Sequence, residues 1–102
     1  MKINFVYTTY PDEKSAKEIG ETLLKEKLIA CYNLFPIKNG YFWHNKKEES
    51  KEFVGIFKTT KKNWSKLKKR IKQIHPYKVP CILKFEVEAD SDYYQWVKKS
   101  VR

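Results

Sequence analysis

The chain has 102 residues, 41% hydrophobic and 16% aromatic, with 22 basic against 12 acidic side chains and a formal net charge of +10. That length supports a single domain, residues 1–102, whose one core is near the size at which burial is still limited, so association with further copies would help it. No stretch approaches the roughly 18 apolar residues of a membrane-spanning helix, and Met1 to Phe5 enter strand-like alternation in place of an apolar signal segment. A cytoplasmic protein with no membrane partner is expected. Cys31 and Cys81 are too few for a disulfide framework and match no zinc-finger spacing. They read as reduced thiols, and a bridge between them stays open only if the fold brings their α-carbons into range.

In chain order, residues 2 to 9 alternate with Ile3, Phe5 and Tyr7 on one face, the period of a strand. Thr9-Tyr10-Pro11-Asp12-Glu13 reads as a helix start, with carboxylates at the positive end of the helix dipole. Ala16, Ile19, Leu23, Leu24 and Leu28 then recur at helical spacing. Gly20 inside that pattern costs about 1 kcal/mol relative to Ala, which suits a close approach of helix to sheet. Ile29 to Phe35 predicts a second strand, interrupted by Pro36, and Lys38-Asn39-Gly40 supplies turn chemistry. A dense aromatic segment, Tyr41-Phe42-Trp43, follows, and Asn45 suits a left-handed turn position. Phe53 to Phe57 reads as a buried strand, Thr59-Thr60 as a cap, and Trp64, Leu67, Ile71 and Ile74 as the apolar stripe of a second helix.

The turn His75-Pro76-Tyr77-Lys78-Val79-Pro80 ends that helix, because two prolines fix two φ angles and remove two amide donors. It carries an imidazole, a phenol and an ammonium, with the Cys81 thiol directly after. The last strand places Cys81, Leu83, Phe85 and Val87 on one face, one side buried and the other wet or interfacial. Asp90-Ser91-Asp92 then caps a closing helix. The order β-α-β-β-α-β-α predicts an α+β, ferredoxin-like split βαβ sandwich with an extended central hairpin and a C-terminal helix. Two helices cannot cover both faces of a four-stranded sheet, so the aromatics of the uncovered face call for another subunit.

Residues 53 to 85 hold ten basic side chains and no acidic one. A solvated helix face is the plainer reading, since the basic residues of the run are all lysine but for Arg70 and no nucleic-acid motif accompanies it; a polyanion is the alternative. Hydrolysis and group transfer find no support. There is no Gly-rich phosphate loop, nucleophile elbow or paired-carboxylate motif, and the only arginines are Arg70 and Arg102.

Several separated stretches resemble the CutA divalent-cation tolerance family along nearly the whole chain. Thr8-Thr9-Tyr10-Pro11-Asp12 is similar to its first strand-to-helix junction, and Leu28-Ile29-Ala30-Cys31-Tyr32-Asn33 to its Leu-Ala-Ala-Cys-x-Asn strand. Tyr41-Phe42-Trp43 resembles its Tyr-x-Trp, Lys58-Thr59-Thr60 its Lys-Thr-Thr, His75-Pro76-Tyr77 with Val79-Pro80 its His-Pro-Tyr-Glu-x-Pro, and Tyr93 to Trp96 its closing Tyr-x-x-Trp. The resemblance implies a ferredoxin-like homotrimer with clefts between subunits, an architecture shared with the PII signal proteins. It also implies a link to tolerance of copper or another divalent metal ion, and no enzyme. Three departures stand out: Lys78 and Cys81 replace two of the family's glutamates, and Asn45 its glycine. Loss of two carboxylates leaves thiolate and imidazole, donors that suit Cu(I) or Zn(II) better than hard cations.

The candidate metal ligands are therefore His75, Cys81 and Cys31, each with a plainer role: His75 as a ring at a helix end, the cysteines as small buried hydrophobes. Two thiols and two histidines per chain do not close a four-ligand site within one subunit unless carboxylates contribute. Lys58 and Tyr77 are the candidate ligand-binding residues of an inter-subunit pocket for a small anion or carbonyl, and Tyr41 and Trp43 the candidate subunit anchors. His44, at the hairpin tip, reads as an exposed side chain. The expected function is metal tolerance through a metal ion or small ligand near subunit clefts. The alternatives are a PII-like signalling trimer acting through a protein partner, and an anion or nucleic-acid binder using the basic segment.

Overall fold

A computed structural model describes residues 1–102. The elements are β1 (Lys2–Tyr10), α1 (Glu13–Lys25), β2 (Cys31–Trp43), β3 (Lys46–Thr59), α2 (Trp64–Ile74), β4 (Ile82–Glu88) and α3 (Ser91–Ser100), with a one-turn 3-10 helix at Lys61–Asn63 before α2. The four strands pair antiparallel in the order β2-β3-β1-β4. This is the ferredoxin-like split βαβ arrangement expected from the element order.

The alternation in β1 decides which side of the sheet holds the core. Val6, Thr8 and Tyr10 are fully buried beneath α1 and α2. Their partners across β3, Phe57, Gly55 and Phe53, share that face. Val6, Tyr10, Phe57, Leu23, Ile29, Leu67 and Ile71 form the main core. Helix α1 is fixed at its start by the Asp12 carboxylate, which accepts the Ser15 amide at 2.8 Å. Gly20 is the close approach: a Cβ there would lie 2.8 Å from Cδ2 of Tyr32 on β2.

Three local expectations are corrected. Lys38-Asn39-Gly40 makes no turn. Strand β2 runs on through it and through Pro36, and β3 answers residue for residue from Trp43↔Lys46 back to Cys31↔Lys58. Pro36 is tolerated because β2 is an edge strand, where an amide facing away from β3 has no ladder bond to lose. The turn is His44-Asn45, both left-handed at φ 51 and 64, the pair of positive φ angles that a two-residue hairpin needs. Second, the Thr59-Thr60 cap is not formed. The Thr59 hydroxyl instead donates to the Leu28 carbonyl at 2.7 Å, and Thr60 makes no capping bond. Third, the apolar stripe of β4 is its exposed side: Leu83 and Phe85 are each 48% exposed, while Lys84 lies over the Trp64 ring of α2.

The open face of the sheet thus carries Phe5, Tyr7, Phe35, Ile56, Leu83 and Phe85 by strand parity. Phe5 and Phe85 meet edge to face at 6.0 Å. Helix α3 lies across one end of this face, where Val97 packs with Ile3 and Ala30. The rest has no cover within the chain.

Candidate functional site

At the other end of the open face, the His75 turn folds back against β1 and β3. His75 terminates α2 through its extended backbone, φ −71 and ψ 137, as a residue preceding proline must. Its ring stacks on Tyr10 with centroids 4.7 Å apart. Nε2 lies 2.8 Å from the Thr9 carbonyl oxygen, and Nδ1 accepts the Tyr77 amide at 3.0 Å. An amide donor at Nδ1 requires a lone pair there, so Nε2 carries the proton and donates to Thr9. Burial pushes the imidazole pKa below its ordinary value, outweighing the Thr9 bond and the charge of Glu52. Both nitrogens are occupied by the fold.

By holding the Tyr77 backbone, His75 aims the Tyr77 phenol at Glu52, which is only 6% exposed. The Glu52 carboxylate accepts from the Tyr77 hydroxyl and from the Asn39 side-chain amide, and no cation is paired with it. Burial and that carboxylate both push the phenol pKa up. Cys81 follows the second proline, and burial first, then Glu52, pushes its thiol pKa up as well. The thiol is thus protonated at neutral pH, and a metal would have to displace its proton.

The other expected residues lie elsewhere. Lys58 donates to the Asn33 side-chain oxygen at 2.7 Å and stands over the Tyr93 ring of α3. The Tyr93 hydroxyl lies 3.4 Å from the Cys31 sulfur, and burial with this contact pushes its pKa up to about 12. Glu52 and Lys58 are six positions apart on β3, so Tyr77 and Lys58 stand about 20 Å apart along the sheet. One chain does not join them in a single pocket. Cys31 and Cys81 are both free; Cys31 opens β2 and Cys81 directly precedes β4, so they stand at opposite edges of the sheet, three strand spacings or about 14 Å apart at least, beyond the reach of a disulfide. Tyr41 and Trp43 project from the outer hairpin, 46% and 54% exposed.

Within one chain these donors do not fit a metal. No three His, Cys, Asp or Glu side chains converge, His75 has no free lone pair, and Cys31 is remote from Cys81. Sequence reasoning missed Glu52 and Asn39, which anchor the site. The available signal was parity: Glu52 precedes Val54 and Ile56 by even steps, which places its side chain on the same face as theirs. Asn39 was hidden by its reading as a turn residue.

No helix is long and apolar enough to cross a membrane. Residues 4–100 match the family model of the CutA1 divalent ion tolerance protein. The chain is 48% identical over 93 residues to the divalent-cation tolerance protein CutA of Pyrococcus horikoshii, covering 90% of this chain and 91% of that one. It is 41% identical over 97 residues to its counterpart from Thermotoga maritima, covering 94% and 96%. The crystal structure of CutA1 from Pyrococcus horikoshii superposes with a TM-score of 0.94 at 44% identity, covering 97% of this chain and 98% of that one. The periplasmic divalent cation tolerance protein CutA from Archaeoglobus fulgidus gives 0.94 at 35% identity over the whole of both chains. A sequence match across residues 4–100, joined to the same strand order and helix placement, makes this chain a member of the CutA divalent-cation tolerance family.

Proposed function

We propose that the protein works as a homotrimer packed through the open face of its sheet, and that it serves tolerance of divalent or soft metal ions by holding a cation or small ligand at subunit boundaries. The observation that carries this reading is the buried Glu52 carboxylate, which has hydrogen-bond donors but no cation, at the border of an uncovered apolar face. A buried carboxylate is a strong cation ligand once a second charge is brought to it. In this reading Glu52 and Cys81 are the donors each chain presents, Tyr77 orients the carboxylate, and His75 positions Tyr77. Lys58, Cys31 and Tyr93, about 20 Å away along β3, reach the same boundary only from a neighbouring copy. Tyr41 and Trp43 anchor the hairpin on that copy.

Copper or zinc is the proposed ion, given a thiol among the donors. The proposed role is binding without catalysis. A reducing, cytoplasmic location is part of the proposal, resting on two free thiols on opposite edges of the sheet.

Native mass spectrometry of the purified protein, before and after adding Cu(I) or Zn(II) under reducing conditions, tests it. The expected species is a trimer that gains a fixed number of ions per subunit, and Glu52→Gln or Cys81→Ser lowers uptake by about tenfold with the mass preserved. A trimer without specific uptake, or uptake indifferent to both substitutions, overturns the metal assignment.

A further inference from the structure

A separate concavity of about 390 Å³ lies where β1 begins, between that strand, the Lys61–Asn63 turn and α3. Five cationic side chains line it, Lys2, Lys61, Lys62, Lys98 and Arg102, and no acidic side chain does. Three of the five lie outside the basic run of residues 53 to 85, so the run by itself does not account for the cluster.

The nearest acidic groups leave most of this charge unspent. Lys61 pairs with Glu86 at 3.6 Å, with the two side chains 56% and 37% exposed. Such surface pairs contribute about 0–1 kcal/mol and exchange readily. Glu88, opposite Lys2 in the sheet, is engaged by the amine of Met1. Lys62 and Lys98 make no ion pair. Five like charges around one hollow repel one another in the free chain, and an anion bearing several charges turns that repulsion into attraction.

The shape and lining narrow the class of anion. The volume is at the small end of the range for small-molecule sites, about 300–1,000 Å³. Lysine ammoniums are compact point charges that bind phosphate oxygens, and the hydroxyls of Thr60 and Tyr94 add neutral donors. Apart from Tyr94, the apolar lining is Val101 alone, which offers no slot in which a flat base would be enclosed.

We propose that this cavity is a polyphosphate site, taking a short chain of linked phosphates through Lys2, Lys61, Lys62, Lys98 and Arg102 without reading an attached base. It lies within a single chain, so it stands or falls independently of the cation reading at subunit boundaries.

Calorimetric titration of the full-length protein with sodium tripolyphosphate, in low salt and without divalent ions, tests the assignment. One tripolyphosphate binds per chain, ATP binds within about threefold of it, and orthophosphate binds at least about tenfold more weakly. The double variant Lys62→Glu with Lys98→Glu loses affinity by about tenfold or more, whereas Lys66→Glu with Lys69→Glu, exposed on α2 outside the hollow, loses less than about threefold. The neutral pair Lys62→Gln with Lys98→Gln repeats the measurement with a milder change, and circular dichroism verifies that each variant is folded. Absence of saturable binding overturns the site. Equal losses in the two glutamate variants also overturn it, since they mark diffuse charge in place of a built site. ATP binding tenfold tighter than tripolyphosphate, with adenosine competing, overturns the base-free reading.

Discussion

His75 joins three parts of the fold with one ring: it stacks on Tyr10, donates to Thr9 and accepts from Tyr77. The neutral tautomer is the only state that does all three. Because burial lowers the folded-state pKa below the ordinary 6.5, the unfolded chain binds the proton more tightly than the folded one. The stability contributed by neutral His75 is therefore present above pH 6.5 and is lost as pH falls from 6.5 through the lower folded value. Urea unfolding between pH 7.5 and 5 should show stability falling with acidification, at up to about 1.4 kcal/mol per pH unit for one proton. His75→Gln should flatten that slope, and an unchanged slope in the variant would assign the titration to another group. The carboxylates of Asp12, Glu26 and Glu88 titrate below this window, because their hydrogen-bonded or paired charged forms hold their pKa values down. His75→Ala removes the ring as well as its bonds and should cost about 2–4 kcal/mol at pH 7.5.

Among the elements, α1 and β2 are in contact at the one place where a side chain has been omitted. Gly20→Ala offers the helix about 1 kcal/mol of propensity. The new methyl, however, would meet the Tyr32 ring near its root, at 2.8 Å from Cδ2 and 2.9 Å from Cγ, where swinging the ring tip away gives no relief. Overpacking of this kind costs about 1–3 kcal/mol and wins. The urea midpoint of the variant is expected to fall; a rise would show that Tyr32 gives up its bond to Glu21 and turns aside. The hairpin is the other element that tertiary context sets. Paired from Cys31 to Trp43 against Lys46 to Lys58, it leaves every residue from Tyr41 to Ser50 exposed, which suits an arm that rests on a neighbouring copy.

The molecule as a whole is longer and less buried than its mass demands. Its radius of gyration is 14.3 Å and its extents are 46 × 24 × 21 Å, against roughly 12.8 Å for the radius of a globular chain of this length. Its accessible surface of 6897 Å² exceeds the roughly 6,100 Å² expected for a monomer of this mass. The excess comes from the projecting hairpin and the bare face around Phe35, Leu83 and Phe85. A trimer closed through that face would remove both. Leu83→Lys would place an ammonium in the closed interface, so sedimentation velocity at micromolar concentration is expected to find the unaltered chain in the proposed trimer and the variant as monomer. A trimer that tolerates this substitution would move the interface off the open face.

The sequence by itself determined the element order, the ferredoxin-like fold and the family, because these rest on periodicity, on proline and capping positions, and on short motifs that are local in the chain. It located the His75 turn as chemically dense for the same reason. Only the tertiary structure decided the strand register, which carries β2 straight through Pro36 and Lys38-Asn39-Gly40 to a turn at His44-Asn45; pairing with β3 outweighs a local turn preference. Register also placed Tyr77 against Glu52 while separating it from Lys58, and Cys31 from Cys81. The basic hollow belongs to the same class, since Lys2, Lys62 and Lys98 are far apart in the chain and meet only because β1, the Lys61–Asn63 turn and α3 end at one edge of the molecule. Long-range proximity is a property of packing, and no local pattern of residues encodes it.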